Sequence, residues 1–121
     1  MELSHMSMTR KKAERITADA ITFMENALRE QRAIDVPDMA EACFLSESHF
    51  RRLFTAITGE SPKAYWRRRR LETAAKLLCE SEQTVTEISF LCCFTNHSTF
   101  YREFLKHYGC NPTEYRETHM A

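Results

Sequence analysis

Two serine and arginine pairs carry the clearest chemistry in the chain: Ser48 with Arg52, and Ser98 with Arg102, the second pair fifty residues after the first. An arginine fork can donate two hydrogen bonds to O6 and N7 of guanine, and each good bidentate contact is worth roughly 1–3 kcal/mol of discrimination. Lys63 and the run Arg67-Arg68-Arg69-Arg70 add cations suited to phosphate. Two other sets of residue types suggest different chemistry. Cys92-Cys93 with His97 or His107 offers a thiol and a base, and His107-x-x-Cys110 with Cys92 offers metal ligands. Both are weak: the thiols fall where a short helix and turn would use them for small apolar packing, and the metal set lacks a second close pair. No catalytic residue, metal ligand or cofactor is assigned.

The chain has 121 residues, 43% of them hydrophobic, enough for one domain or two very small ones. Its apolar runs are too short to cross a bilayer and its start lacks the apolar core of a secretory signal, so a cytoplasmic protein is expected. Five cysteines, an odd number with no C-x-x-C pair, read as reduced thiols. The formal net charge is zero, but it is distributed in blocks: residues 46–76 hold eight Lys/Arg against three Asp/Glu, whereas residues 19–45 and 77–121 are acidic. A local basic patch can meet phosphate even in a neutral chain.

These side chains must be positioned by helices. Residues 61–80 contain no Gly and only Pro62, with Ser61 as an N-cap and Pro62 in the first turn, which predicts one long central helix. On a helical wheel of about 100° per residue, Ala64, Leu71, Ala74, Ala75 and Leu78 form its apolar stripe; Arg69 points away from it and Arg70 lies on its flank. Before it, Ile16, Ala20, Phe23, Met24, Ala27 and Leu28 mark an amphipathic helix, after a segment 1–14 without pattern in which Ser4-His5-Met6 has the look of cloning residue. Asp35 and Asp38 resemble a capping box opening a short helix to about Cys43. A turn follows at Phe44-Leu45, and Ser46 caps a longer helix that ends at Gly59.

The same pattern returns after the central helix. Thr84 and Glu87 form a capping box, Cys93-Phe94 a turn, and Thr95 or Asn96 a cap for a helix ending at Gly109. Phe50, Arg52, Phe54, Gly59, Pro62 and Tyr65 recur as Phe100, Arg102, Phe104, Gly109, Pro112 and Tyr115. This internal repeat predicts two helix-turn-helix units, 15–60 and 81–121, joined by the helix 61–80. The second helix of such a unit commonly enters the major groove. With Phe50 or Phe100 at the core, Ser48 and Arg52, and likewise Ser98 and Arg102, face the other way.

The series Met39-Ala40-Glu41-Ala42, Leu45-Ser46, Phe50-Arg51-Arg52-Leu53-Phe54, Gly59, Ser61-Pro62, Tyr65, Arg70-Leu71, Ala74, Leu77-Leu78, then Ile88-Ser89, Phe94, Phe100-Tyr101-Arg102-Glu103-Phe104, Gly109, Pro112 and Tyr115-Arg116 resembles the DNA-binding domain of the AraC/XylS family of bacterial transcription regulators. The resemblance covers about residues 16–117. It implies an all-α domain of about seven helices, two helix-turn-helix subdomains joined by a long central helix. It also implies binding to double-stranded DNA, contact with RNA polymerase, and an activating role in the bacterial cytoplasm. The length is similar to that of stand-alone members and equally fits a C-terminal fragment of a larger regulator.

Carried onto this chain, the resemblance adds Arg51, His97 and Thr99 to Ser48, Arg52, Ser98 and Arg102 as base-contacting candidates. Lys63, Asn96, Arg69 and Arg70 are candidates for the DNA backbone. For Arg69 and Arg70 intramolecular pairing competes with phosphate, and Asn96 could serve only as a cap. If the central helix sets both units on one side of the duplex, a monomer reads two successive major-groove segments about 34 Å apart. The rival reading is an interaction module without specific DNA binding, with a protein partner at Arg67–Arg70. Two turns depart from the family pattern: Phe44 and Cys93 stand where Gly is usual, so each turn is either strained or differently shaped. Leu105 lies on the outward side of its helix, where it could meet a protein partner.

Overall fold

The computed structural model describes residues 8–119, and Ser4-His5-Met6 lies outside them. Seven helices follow one another, with no strand among the described residues: α1 (Arg10–Arg29), α2 (Val36–Ala42), α3 (Glu47–Thr58), α4 (Pro62–Glu80), α5 (Val85–Leu91), α6 (His97–Tyr108) and α7 (Pro112–His119). The all-α architecture is the one the repeat predicts.

The helix ends follow from local chemistry. Asp35 and Asp38 bond each other's backbone in a reciprocal box at the start of α2, and Thr84 and Glu87 do the same for α5. Ser46 accepts from the His49 amide and Asn96 from the Thr99 amide, satisfying donors that each helix start leaves open. Gly59 and Gly109 close α3 and α6 in the left-handed region, at φ 81° and 80°, where a side chain would be strained. Asn111 and Glu114 form a further reciprocal box at the start of α7.

The first helix begins at Arg10, six residues before the apolar periodicity at Ile16. The opening turns carry Arg10, Lys11, Lys12, Glu14 and Arg15, which contribute nothing to an apolar pattern, while Thr9 accepts from the Lys12 amide and Ala13 alone is buried. Residues 10–14 of the patternless segment 1–14 are therefore the start of α1.

The chain divides into two compact units, and the border falls inside α4. Unit 1 runs to Arg29 and from Ile34 to Trp66; unit 2 comprises Glu30–Ala33 and the chain from Arg67. In unit 1, α1, α2 and α3 pack on one another. Phe50 and Phe54 are fully buried, with ring centroids 5.6 Å apart, and Tyr65 stands edge-on to Phe54 at 5.4 Å. Trp66 is buried too, although it lies off the stripe that Leu71 centres. In unit 2, Leu71, Ala74, Ala75 and Leu78 of α4 enclose a core with Ile88, Cys92, Phe94, Phe100 and Phe104. The aromatic motif repeats there: Phe100 and Phe104 are 5.7 Å apart, and Tyr115 stands edge-on to Phe104 at 5.4 Å. Each such buried ring contributes roughly 1.5–3 kcal/mol to stability.

Candidate nucleic-acid interface

In each unit a short helix, a turn and a longer helix follow the same backbone pattern. After α2 the Leu45 amide donates to the Ala40 carbonyl and the Phe44 amide to Glu41; after α5 the Phe94 amide donates to Ser89 and the Cys93 amide to Phe90. This pair of bonds closes a helix through a left-handed residue, a place that Gly usually takes. Phe44 and Cys93 adopt it, at φ 59° and 68°, so the turns keep the shape usual for Gly and carry the strain of a side chain there, about 1–2 kcal/mol each. Their surroundings differ. Phe44 is 94% exposed, whereas Cys93 is buried and its thiol donates to the Arg32 carbonyl at 3.4 Å.

These turns deliver α3 and α6 as the two candidate recognition helices. On α3, the buried face of Phe50, Leu53 and Phe54 leaves Ser48, Arg51 and Arg52 exposed. Arg52 Nη1 donates to Ser48 Oγ at 2.9 Å, so the two predicted residues are joined. Arg51 is engaged in an ion pair with Glu47, a partner the sequence reading passed over although the i, i+4 spacing signals it. On α6, Ser98 and Arg102 are exposed opposite Phe100 and Phe104, and Thr99 is half-buried. His97 is half-buried as well, its ring 5.5 Å from Tyr101. Its Nδ1 is buried without a partner, which leaves Nε2 as the ring nitrogen open to a ligand.

Of the backbone candidates, Lys63 is exposed in the first turn of α4, beside the amides of the helix start. Asn96 is exposed, and its side-chain oxygen is taken by the cap on α6. The arginine run is engaged within the chain. Arg69 pairs with Glu72 at 2.7 Å, and Arg68 pairs with the same carboxylate at 3.0 Å. Arg67 Nε lies 3.6 Å from Glu103 on α6.

Arg70 is engaged across the fold, not along its own helix. Its guanidinium lies 4.3 Å above the Phe94 ring and donates to the Cys93 carbonyl at 3.4 Å; burial pulls its pKa below the usual arginine range. Such a guanidinium supports the second turn from inside, and Arg70 and Arg69 both make the intramolecular contacts that compete with phosphate. The helical wheel separates Arg69 from Arg70 by angle, but only the fold brings Phe94 and the Cys93 carbonyl to Arg70.

The thiols form no other centre. All five cysteines are free, and among the described residues no group of three or more His, Cys, Asp or Glu could hold a metal ion. Nor is any helix among the described residues long and apolar enough to cross a membrane.

A repeated helix, left-handed turn and capped second helix, with an exposed arginine at the same place in each, defines a double helix-turn-helix protein. The chain belongs to the AraC-type family of helix-turn-helix transcription regulators: residues 39–118 match the family pattern described as a helix-turn-helix domain. It is 33% identical over 114 residues to the probable transcriptional regulator LumQ of Photobacterium leiognathi, spanning 93% of this chain and 45% of LumQ. It is 31% identical over 105 residues to the probable transcription factor PqrA of Proteus vulgaris, spanning 87% of this chain and 86% of PqrA. Thus it spans less than half of the first relative and most of the second. The DNA-binding domain of the global transcriptional factor AdpA, solved in complex with a target DNA, has the same fold, with a TM-score of 0.78 and 26% identity over 84% of this chain and 90% of that one.

Proposed function

We propose that this chain is a sequence-specific DNA-binding transcription regulator that reads two successive major-groove segments as a monomer. The observation that carries the reading is the exposure of Arg52 on α3 and Arg102 on α6 at equivalent places, each opposite a buried pair of phenylalanines. The AdpA domain, which shares the fold, was solved bound to DNA. Arg52 and Arg102 lead the base contacts. Ser48, Arg51, Ser98, Thr99 and His97 through Nε2 flank them, and Lys63 and the Asn96 amide group hold phosphate. The bound protein contacts RNA polymerase and activates transcription in the bacterial cytoplasm. The intramolecular pairing of each arginine in the run counts against the rival interaction module that would use Arg67–Arg70 as its docking face.

Selection of binding sites from a random duplex pool at near-physiological salt tests this reading. An asymmetric motif of two boxes about one helical turn apart is expected, one box relaxed by Arg52→Ala and the other by Arg102→Ala. No enriched motif from folded protein would overturn it.

A further inference from the structure

We infer that Arg67 is a positioning residue for the second recognition helix: through Glu103 it sets the rotation of α6 that presents Arg102, and it does not itself hold phosphate. The inference rests on the reading of α6 as a base-contacting helix. Its origin is a difference between the two copies. Glu103 follows Arg102 directly and occupies the place that Leu53 occupies in α3. Leu53 is fully buried and clusters with Ala13, so in unit 1 this flank of the recognition helix is fixed by apolar packing on α1. In unit 2 the same flank carries a carboxylate, 24% exposed, and its partner is Arg67 of α4, 40% exposed, at 3.6 Å.

The rotation matters because of lever length. Side-chain groups lie about 5–6 Å from a helix axis, so a turn of about 20° carries them roughly 2 Å, more than the spread of good hydrogen-bond lengths. The buried rings of Phe100 and Phe104 hold α6 on the core, but apolar contacts are not directional. A charge pair on the flank between the core face and the Arg102 face supplies direction. Arg70 holds the base of the same helix from α4, since it covers Phe94 and the Phe94 ring lies 5.0 Å from that of Phe100. Two arginines of the run thus act on α6 or its approach, and the two between them, Arg68 and Arg69, meet Glu72 within α4.

The test uses the full chain and a duplex carrying the two-box site selected by the wild-type protein, with thermal melting to show that each variant is folded. Arg67→Ala and Glu103→Ala are expected to weaken binding about 2- to 5-fold, the most that an ion pair of this exposure can lend to the position of Arg102. The loss should vanish on a duplex whose Arg102-dependent box has been scrambled. The slope of affinity against salt should stay at its wild-type value, and the charge-swapped pair Arg67→Glu with Glu103→Arg should regain most of the affinity. A uniform loss on both duplexes with the salt slope reduced by about 0.9, the mark of one lost phosphate contact, would overturn the inference and leave the base reading intact. So would unchanged binding in both single variants, or a swap that rescues nothing. Failure of the wild-type protein to select any site would overturn the base reading, and the inference with it.

Discussion

Arg52 Nη1 donates to Ser48 Oγ one helical turn away, at 2.9 Å, whereas Ser98 and Arg102, fifty positions on, share no such bond among the described residues. The first arginine is braced on its own helix before any ligand arrives, and no such bond braces the second. Arg52→Ala should therefore lose roughly 1–3 kcal/mol of binding to the selected site. Ser48→Ala, which releases the guanidinium and gives up a weaker flanking contact, should cost about 1 kcal/mol, and Ser98→Ala should not loosen Arg102 at all. Fluorescence anisotropy with a labelled duplex checks this order. A Ser48→Ala loss equal to that of Arg52→Ala would place Ser48 level with Arg52 as a reader.

Phe44 is an exposed side chain at φ 59° with nothing buried to lose. Replacement by Gly removes about 1–2 kcal/mol of left-handed strain and restores about 0.4–1 kcal/mol of freedom to the unfolded chain. The variant should be stabilised by about 0.5–1 kcal/mol, read as a higher urea midpoint at constant slope. Cys93→Gly, which relieves similar strain but gives up a buried thiol and its bond to Arg32, should gain less or nothing.

The ends of the elements were legible because they rest on chemistry local in sequence. Ser46, Thr84 with Glu87, Gly59 and Gly109 each act within a few residues of themselves, and each does what its type and place suggest. The two turns were legible in place but not in shape. A strained Phe44 and a re-formed turn were equally open until the left-handed φ and the repeated amide bonds decided for strain. The fates of Arg67 and Arg70 depend on Glu103 and Phe94, which only the fold brings near. Leu105 stands on the exposed side of α6, as its wheel position required.

Glu72 lies under two guanidinium groups. Burial alone would raise its carboxyl, but hydrogen bonds from Arg69 and Arg68 and their charges outweigh it and hold the pKa below the ordinary 4.5. A carboxyl lower in the folded state than in the unfolded adds stability above the unfolded value and loses it as pH falls through the folded one. Melting temperature should therefore drop below about pH 4.5, and Glu72→Gln should flatten that part of the curve while being less stable than wild type at pH 7.

Cys92 is fully buried, and its thiol is pushed up to about 12 by burial and the neighbouring Cys93. Burial likewise raises Cys93. Thiols in this state react slowly, since the thiolate is the nucleophile. At pH 7–8 an alkylating reagent should leave both unmodified in the native protein and modify both in urea, with peptide mass mapping as the readout. Rapid native labelling of Cys92 would show that the core of unit 2 opens readily.

Trp66 is the last residue of unit 1, and unit 2 resumes at Arg67 without a break in α4. Starting a helix is the unfavourable step and extending one is not, so the part of α4 that lines the second core begins on turns the first unit has already ordered. A substitution that melts the first unit should therefore also withdraw the start of this helix from the second core.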